Sequence, residues 1–474
     1  MIRKILIANR GEIAIRISHT LREMGIAAAG LFTDPDSEAL HRRSMDEAHR
    51  IESYLDANEI VRVALECGAN AVHPGYGFLS ESTSLSSACE KAGITFIGPQ
   101  TETIRSMGDK LEARRLMQAA GVPVLPAWES NPPASEYPVL VKAVGGGGGK
   151  GMRLVQKPSE LADAMAAAAR EAGNAFNDAR VFIEKYVTKP RHIELQVVGD
   201  THGNVVHAFE RECSIQRRHQ KIIEETPSPA VSPELRATMG ATAVAAAKAV
   251  AYRGAGTVEF ILDAEGRHYF LEMNTRLQVE HPVTEMTTGI DLVREQVRIA
   301  EGHPISFKQA DLRQTGHSIE CRIYAEVPEE NFRPDTGTIA VFRPPTGPGV
   351  RLDCGVEEGS SVTIDYDPLM AKLIVWAPTR DAAIERMKRS LHDFVLLGVR
   401  TNIEFLGRII SSRDFASGNL DTHLIDRNAA LLHSPAGTLP IEALLAASLS
   451  ASPATNGASS SFSNVWTSGA WRNT

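Results

Sequence analysis

The hydrophobic pattern at the start of the chain alternates between short apolar runs and amphipathic stretches. Residues 4–8 form a nearly continuous apolar run, and a polar turn then leads to apolar positions at Ile13, Ile17 and Leu21. The run predicts a buried strand, and the later spacing predicts a helix. A second apolar run follows at 27–32. Strands that alternate with helices predict a parallel, doubly wound sheet.

Changes in this pattern predict four regions. Apolar segments at 71–79 and 94–97 continue the first sheet, and strand-rich sequence with Gly and Pro turns dominates later. The tail is rich in Ala, Ser and Thr, which is typical of a flexible linker. The predicted fold class is α/β, and the predicted regions are an N-terminal domain (1–105), a small lid unit with a glycine run (106–187), a larger α+β C-terminal domain (188–430), and a linker with the start of a truncated docking segment (431–474).

A predicted hairpin brings two glutamates together. The segment 263–267 (Asp-Ala-Glu-Gly-Arg) has the chemistry of a tight turn. With Glu265 and Gly266 at its centre, residue 263 pairs with 268, and Glu259 lies opposite Glu272. Directly opposed residues have Cβ atoms about 5 Å apart, where like charges are destabilising. The pairing therefore predicts a cation between the two carboxylates, and Mg²⁺ suits such oxygen ligands. Two glutamates on a solvated strand face are the alternative.

Strand alternation extends this prediction to the neighbouring residues. Glu272 and Asn274 share one face of the strand, whereas Leu271 and Met273 are expected on the other. A metal site backed by an apolar core requires such an arrangement.

The composition limits the classes of function. The 474 residues, 43% apolar and 23% charged, suggest about three globular domains. A net charge of −8 argues against binding to nucleic acid or to an anionic membrane, so an anionic substrate requires local cations. Five cysteines without paired spacing favour a reducing compartment. We expect a cytoplasmic protein, because the sequence shows neither a signal-peptide pattern nor a membrane-spanning apolar run.

A run of five glycines lies between Lys142 and Lys150. Consecutive glycines allow backbone N–H groups to approach a phosphate chain closely. The run departs from the P-loop pattern at Val144 and at Gly151, where that pattern requires Gly and then Ser or Thr. We therefore predict a mobile flap over phosphates, with a flexible linker as the alternative.

Three further segments carry charge in patterned positions. The strand-like segment 181–187 contains Glu184 and Lys185, which could meet an adenine amino group; an exposed ion pair is the alternative. The segment 211–221 gathers four cations and a histidine, which indicates anion binding or a solvated charge run. Arg322 ends an alternating strand, where a surface ion pair is the alternative.

Together these segments resemble the biotin carboxylase family of the ATP-grasp superfamily. The resemblance covers residues 1 to about 430 and rests on long motifs in one order: Ala8–Ala14, His73–Glu81, Met107–Lys110, the glycine flap, Glu184–Tyr186, Gln216–Lys221 and Glu272–Glu285. It implies an ATP-grasp fold and the ATP-dependent carboxylation of biotin by bicarbonate through carboxyphosphate. The implied cofactors are ATP and Mg²⁺ or Mn²⁺, with biotin as the substrate on a carrier domain.

The resemblance also implies roles for individual residues. Glu280 would be the base for bicarbonate, Arg276 and Lys221 would hold bicarbonate with Gln278 and Val279, and Arg322 would stabilise the enolate-like oxygen of biotin. Tyr76 would contact biotin, and Glu259, Glu272 and Asn274 would hold the metal. The nucleotide site would comprise Lys110, Lys142, Gly147, Gly148, Gly149, Lys150, Glu184, Lys185, Tyr186, Val187, His192, Gln216, His219 and Leu277.

The chain departs from the family pattern in three places. It is shorter at 50–54 and between 128 and 137, and the second gap lies in the lid. A nucleotide-binding scaffold with reduced turnover is therefore the alternative function. A ligase that joins a carboxylate to an amine is a further alternative, which Gln216–Lys221 and Arg276–Glu280 disfavour.

The third departure is at the end of the chain, where no Met-Lys-Met biotin-attachment motif is present. Residues 461–474 resemble the start of the docking region in α subunits of acyl-CoA carboxylases, nearest the methylcrotonyl-CoA type. A non-native tail is the alternative. The implied partners are a biotin carrier domain and a carboxyltransferase β subunit. The family often forms homodimers through this module, although His19 stands where some members have arginine.

Overall fold

The computed structural model describes residues 1–145 and 151–433. The predicted flap residues Gly147, Gly148, Gly149 and Lys150 and the predicted linker and docking segment from residue 434 onward lie outside the described residues.

The N-terminal region is a parallel sheet with helices on both sides. Its strand order is β3-β2-β1-β4-β5, which confirms the predicted doubly wound sheet. Ile13, Ile17 and Leu21 are buried on one face of α1, as their spacing predicts. The pattern did not predict β3, because its sequence contains only one apolar residue. The elements are β1 (Lys4–Ile7), α1 (Gly11–Glu23), β2 (Ala27–Phe32), α2 (Leu40–Arg43), β3 (Glu47–Arg50), α3 (Ala57–Glu66), β4 (Ala71–His73), α4 (Thr83–Lys91) and β5 (Thr95–Phe96).

A small four-stranded sheet forms the second region. Two helices precede it, α5 (Thr101–Gly108) and α6 (Lys110–Ala119), followed by β6 (Ala127–Trp128), β7 (Val139–Ala143), β8 (Arg153–Val155), α7 (Leu161–Phe176) and β9 (Val181–Lys185). The strand order is β6-β9-β7-β8. Met107 and Met117 from α5 and α6 pack with Val258 and Phe260 of the large sheet rather than with the small one. The small sheet therefore occupies only residues 127–185 of the predicted lid unit.

The third region is built on an eight-stranded antiparallel sheet of order β14-β13-β10-β11-β12-β15-β22-β20. Its first elements are β10 (Arg191–Gly199), β11 (Val205–Arg217), β12 (Gln220–Thr226), α8 (Pro233–Ala249), β13 (Gly254–Leu262), β14 (His268–Asn274), α9 (His281–Thr288), α10 (Leu292–Ala300) and β15 (His317–Tyr324). Short strands follow: β16 (Glu326–Val327), β17 (Arg333–Pro334), β18 (Gly337–Thr338) and β19 (Val341–Arg343). The region ends with β20 (Val350–Cys354), β21 (Ser361–Val362), β22 (Leu369–Ala377), α11 (Arg380–Asp393), β23 (Val395–Leu397), α12 (Ile403–Ile410), α13 (Arg413–Ala416) and α14 (Leu424–Arg427).

The β13–β14 hairpin confirms the central pairing but corrects the predicted register near the turn. Glu259 lies opposite Glu272, as predicted. Closer to the turn, Leu262 pairs with His268, so the predicted pairing of 263 with 268 is wrong. The ladder is displaced by one residue because the turn holds three residues, with Gly266 at φ +79°. A bulge at Leu271 supplies the extra residue that restores the pairing of the glutamates.

The bulge also changes which way one side chain faces. Met273 is buried in the core beneath the sheet, as predicted. Leu271 lines the large cavity instead of joining Met273, so its predicted orientation is wrong. A bulged residue is removed from the regular alternation of a strand, which is the physical reason for the difference.

Among the helices of residues 1–145 and 151–433, none combines the length and the apolar character needed to cross a membrane.

Candidate active site

A cavity of about 1000 Å³ is enclosed by loops of the N-terminal sheet, strands of the small sheet and one end of the large sheet. Most residues that the sequence predicts for the site line this cavity: Tyr76, Lys110, Lys142, Glu184, Lys185, Tyr186, Val187, His192, Gln216, His219, Lys221, Glu259, Glu272, Asn274, Arg276, Gln278, Val279 and Arg322. Segments far apart in the chain therefore meet around one space large enough for a nucleotide and a second substrate.

One end of the cavity combines apolar walls with cations. Leu140, Met152 and Leu154 supply apolar surface. Lys142 is buried and forms an ion pair with Glu184, whose other oxygen lies 3.2 Å from Arg114 Nη1. This end can enclose a flat apolar group and neutralise an attached anion.

Two glutamates and an amide form the candidate metal site. Glu259 accepts a hydrogen bond from Asn274 Nδ2 (2.9 Å) and contacts Lys221 Nζ (2.6 Å) and His192 Nε2 (2.7 Å). Burial opposes its ionisation, but Lys221 and His192 hold the pKa of Glu259 well below its usual range. Burial and the charge of Glu259 raise the pKa of Glu272. Lys110 and Lys221 oppose this rise without cancelling it. The remaining negative potential at Glu272, together with oxygen donors of this kind, fits Mg²⁺.

A second cluster surrounds Glu280, the residue that directly precedes α9. Its carboxylate is fully buried, with Oε1 2.8 Å from Lys221 Nζ and Oε2 2.9 Å from Arg322 Nη2. Burial opposes ionisation, yet Lys221 and Arg322 lower the pKa of Glu280 well below its ordinary value. Lys221 Nζ also lies 2.5 Å from Glu194 Oε2. Lys221 is thus shared by three carboxylates and joins the Glu280 cluster to the candidate metal site.

Arg276 extends from the same cavity wall. Its Nε donates to Glu81 Oε2 (2.8 Å), and its Nη1 donates to Gln278 Oε1 (2.9 Å). The carbonyl of Val279 accepts from Lys372 Nζ (3.0 Å), and Tyr76 donates its hydroxyl hydrogen bond to Glu12. These contacts hold the cations and amides in place before any substrate enters.

Leu277 departs from its predicted place in the nucleotide site. Its side chain is fully buried in a core cluster with residues of the N-terminal sheet, such as Ile5 and Ile7, and it does not line the cavity. The neighbouring Arg276 and Gln278 point into the cavity, so backbone geometry directs Leu277 to the opposite side. Ile261 and Leu271, which the sequence did not assign to the nucleotide site, supply apolar cavity surface instead.

The cationic segment 211–221 is largely buried rather than solvated. Arg211 is fully buried and bonds to Glu194 Oε1 (2.5 Å) and Gln196 Oε1 (2.8 Å). Arg217 bonds to Glu326 at 2.5 Å. These two arginines neutralise protein carboxylates. The anion binding that was predicted for the segment 211–221 therefore does not hold for Arg211 and Arg217. Glu194 was missed, although its polar alternation with Gln196 inside an apolar strand is a usable signal.

Family models match nearly all of the described chain. "Biotin carboxylase, N-terminal domain" matches residues 1–104, "Carbamoyl-phosphate synthase L chain, ATP binding domain" matches 109–308, and "Biotin carboxylase C-terminal domain" matches 320–427.

Two curated proteins and one solved structure illustrate the similarity. The alpha subunit of mitochondrial methylcrotonoyl-CoA carboxylase from Arabidopsis thaliana is 49% identical over 445 residues, covering 90% of this chain but only 61% of that protein. The chloroplastic biotin carboxylase 2 of Populus trichocarpa is 48% identical over 448 residues, covering 91% of this chain and 85% of that protein. The biotin carboxylase domain dimer of Hydrogenobacter thermophilus 2-oxoglutarate carboxylase, solved with MgADP, ADP and bicarbonate, is 44% identical with a TM-score of 0.89, covering 92% of this chain and 99% of that one.

Proposed function

The chain belongs to the biotin carboxylase family, and from this premise we propose that it catalyses the ATP-dependent carboxylation of biotin by bicarbonate, through carboxyphosphate. One observation carries the proposal. A buried, ionised Glu280 lies directly behind the cavity surface, between two cations that do line the cavity, Lys221 and Arg322, and the other end of that cavity suits a nucleotide.

The nucleotide occupies the end beside the small sheet. Glu184 and Lys185 bind the base by side chain and backbone, and Lys110 and Lys142 neutralise the phosphates. Ile261 and Leu271 supply the apolar contact that was assigned to Leu277. The pair of opposed glutamates, Glu259 and Glu272, would hold Mg²⁺ with Asn274, and the ion would supply further positive charge at the phosphates.

Bicarbonate binds between Arg276, Gln278 and Lys221. The depressed pKa of Glu280 makes it a weak base while Lys221 and Arg322 both contact it. A bound anion competes for these cations, and each contact that Glu280 loses raises its pKa. Substrate binding therefore converts Glu280 into the base that removes the bicarbonate proton, which is the state that attack on the γ-phosphate requires.

Biotin enters beside Tyr76 and Arg322. After proton transfer to phosphate, negative charge develops on the ureido oxygen of biotin, and the guanidinium of Arg322 stabilises it. Arg322 thus serves twice, first in setting the pKa of Glu280 and then in stabilising the second reaction partner.

The larger assembly is also part of the proposal. The chain spans only 61% of the Arabidopsis protein, and we propose that it acts in an acyl-CoA carboxylase with a biotin carrier domain and a carboxyltransferase β subunit, nearest the methylcrotonyl-CoA type. A homodimer is proposed because the related Hydrogenobacter domain is described as a dimer. The cytoplasmic location stays a prediction, since the Arabidopsis relative is mitochondrial.

The decisive experiment measures ADP release from MgATP and bicarbonate with and without free biotin. We expect biotin to stimulate ADP release, and carboxybiotin to form from labelled bicarbonate in equal amount. Tight ATP binding without biotin-stimulated release would instead support the nucleotide-binding scaffold. Transfer of phosphate to a carboxylate–amine pair, without carboxybiotin, would support the other ligase class.

A further inference from the structure

Two glutamates that the proposed chemistry does not use directly lie behind Arg322. Glu224 of β12 and Glu320 of β15 occupy paired positions on neighbouring antiparallel strands, and both are fully buried. Among residues 1–145 and 151–433, no group donates a hydrogen bond to either oxygen of Glu320 or to Oε2 of Glu224. Two opposed, buried carboxylates cannot both be ionised without a cation between them.

The nearby cations are already engaged by other groups. Arg322 places its Nη2 2.6 Å from Glu224 Oε1 and 2.9 Å from Glu280 Oε2. Lys372, which pairs with Arg322 across the strands, donates to the carbonyl of Val279 (3.0 Å). The same Nζ lies 3.3 Å from Glu12 Oε2 and 3.5 Å from Asp353 Oδ2. The guanidinium of Arg322 therefore already binds two carboxylates, and Glu320 would be a third.

Titratable and charged groups from every packed element act on the pair or on its partners: Glu12 of α1, Lys221 of β12, Glu280 and His281 at the start of α9, Arg322 of β15, Arg351 and Asp353 of β20, and Lys372 of β22. Burial holds the pKa of Glu320 well above its ordinary value and raises the pKa of Glu224 to about 7. Lys372 and Arg322 oppose these two shifts without cancelling them.

We propose that Glu224 and Glu320 share a single proton and that this pair positions Arg322 against Glu280. Glu224 Oε1 accepts a hydrogen bond from Arg322 Nε. Glu224 Oε2 is therefore left to accept a hydrogen bond from the shared proton on Glu320. Loss of the shared proton adds negative charge behind Arg322 and draws the guanidinium away from Glu280. Glu224 and Glu320 are positioning residues, because they act on the reaction only through Arg322. The catalytic part of this inference rests on the proposed function.

The shared proton is tested by infrared spectroscopy of the full chain at neutral pH. The infrared spectrum of wild type minus that of Glu320→Gln should show the carbonyl stretch of one protonated carboxylic acid. The spectrum of Glu320→Met should lack the same band. Spectra without this difference would overturn the shared proton. This readout is independent of catalysis, so it remains valid if wild type shows no biotin-stimulated ADP release and the proposed function itself fails.

The positioning role is tested by pH profiles of biotin-stimulated ADP release. Glu320→Gln keeps a neutral hydrogen-bond donor, so we expect its kcat at neutral pH to be close to that of wild type. At alkaline pH, we expect wild type to lose activity as the pair is deprotonated, whereas Glu320→Gln should not. Glu320→Met cannot donate, and we expect its kcat to fall about 10- to 100-fold with the KM for ATP unchanged. Glu320→Gln alone suffices if the Met variant does not fold. A pH profile of Glu320→Gln that matches the wild-type profile would overturn the positioning role. An equal loss of kcat in both variants would overturn it as well.

Discussion

At the scale of single residues, Lys221 links the two halves of the candidate site. Its ammonium lies within 2.8 Å of oxygens from Glu194, Glu259 and Glu280. Three surrounding carboxylates hold the pKa of Lys221 well above its usual value despite burial. Any substrate anion that binds Lys221 must therefore displace a protein carboxylate, and Glu280 is the one placed to use the released charge as a base.

Replacement of Glu280 by glutamine tests this role directly. The amide can still accept from Lys221 but cannot take a proton, so we expect kcat for biotin-stimulated ADP release to fall by about 10²- to 10⁴-fold. Nucleotide affinity, measured by calorimetry, should stay close to wild type. Glu90→Gln, at an exposed position of α4, is the matched control. A Glu280→Gln protein that no longer binds ATP would argue against its assignment as the base.

His73 gives a pH-dependent prediction. It is fully buried, its Nδ1 accepts from Gly75 N (3.0 Å), and burial lowers its pKa to about 4. The unfolded chain therefore binds more protons than the folded chain below the unfolded pKa of about 6.5, so stability falls as the pH drops toward 4.

His73→Asn keeps the acceptor for Gly75 and removes the titration. Between pH 7 and pH 5 we expect wild type to lose about 2 kcal/mol more unfolding free energy than this variant, measured by denaturant titration at each pH. The exposed His303, replaced by Asn in the same way, is the matched control. Parallel curves for wild type and His73→Asn would contradict a buried neutral imidazole.

At the scale of elements, the bulge in the β13–β14 hairpin separates two neighbouring apolar residues. Leu271 lines the cavity, whereas Met273 packs beneath the sheet. Turn chemistry and strand alternation predict the hairpin, but the opposition of Glu259 and Glu272 depends on the bulge at Leu271. They cannot reveal that bulge, because its extra residue is set by the neighbouring strands and the core.

Alanine replacement should distinguish these two positions. We expect Leu271→Ala to raise the Kd for ATP several-fold with little change in unfolding free energy. Met273→Ala should lower the unfolding free energy by about 2–5 kcal/mol, through lost burial and a cavity, without a matching change in ATP affinity. Calorimetric titration and denaturant unfolding of both variants measure the contrast. Equal effects of the two changes on ATP binding would mean that the bulge does not present Leu271 to the nucleotide.

At the scale of the whole molecule, side-chain contacts tie the N-terminal sheet to the later region. The Arg10 guanidinium lies 4.2 Å from the centre of the Tyr366 ring, and Phe78 meets the same ring at 6.2 Å. Arg16 of α1 binds Glu285 (2.8 Å) and Asp291 (3.0 Å). These contacts fix one wall of the cavity relative to the other.

A shortened chain tests whether this unit suffices. Every cavity-lining residue described lies between Asn9 and His423, and residues 1–433 form one compact unit by themselves. We expect a protein of residues 1–433 to retain free-biotin-stimulated ADP release and the unfolding midpoint of the 474-residue chain. A loss of activity in the shorter protein, with its folding intact, would show that the tail takes part in the site.

The sequence by itself determined the features that depend on local chemistry. Alternating apolar runs specified the parallel N-terminal sheet, and the turn chemistry at 263–267 specified the hairpin that carries Glu259 and Glu272. Periodicity and turn preferences act over a few residues, so one strand or hairpin contains enough information to predict them. Long ordered motifs added the family and with it the residues expected around the cavity.

Only the tertiary structure decided which charges are neutralised inside the protein. Arg211 and Arg217 belong to the same cationic segment as Lys221, yet both are bound to buried glutamates and neither lines the cavity. The pairing of Glu224 with Glu320 joins strands almost a hundred residues apart. The order of strands in the large sheet creates these contacts, and no local pattern encodes that order, because it follows from packing the whole core.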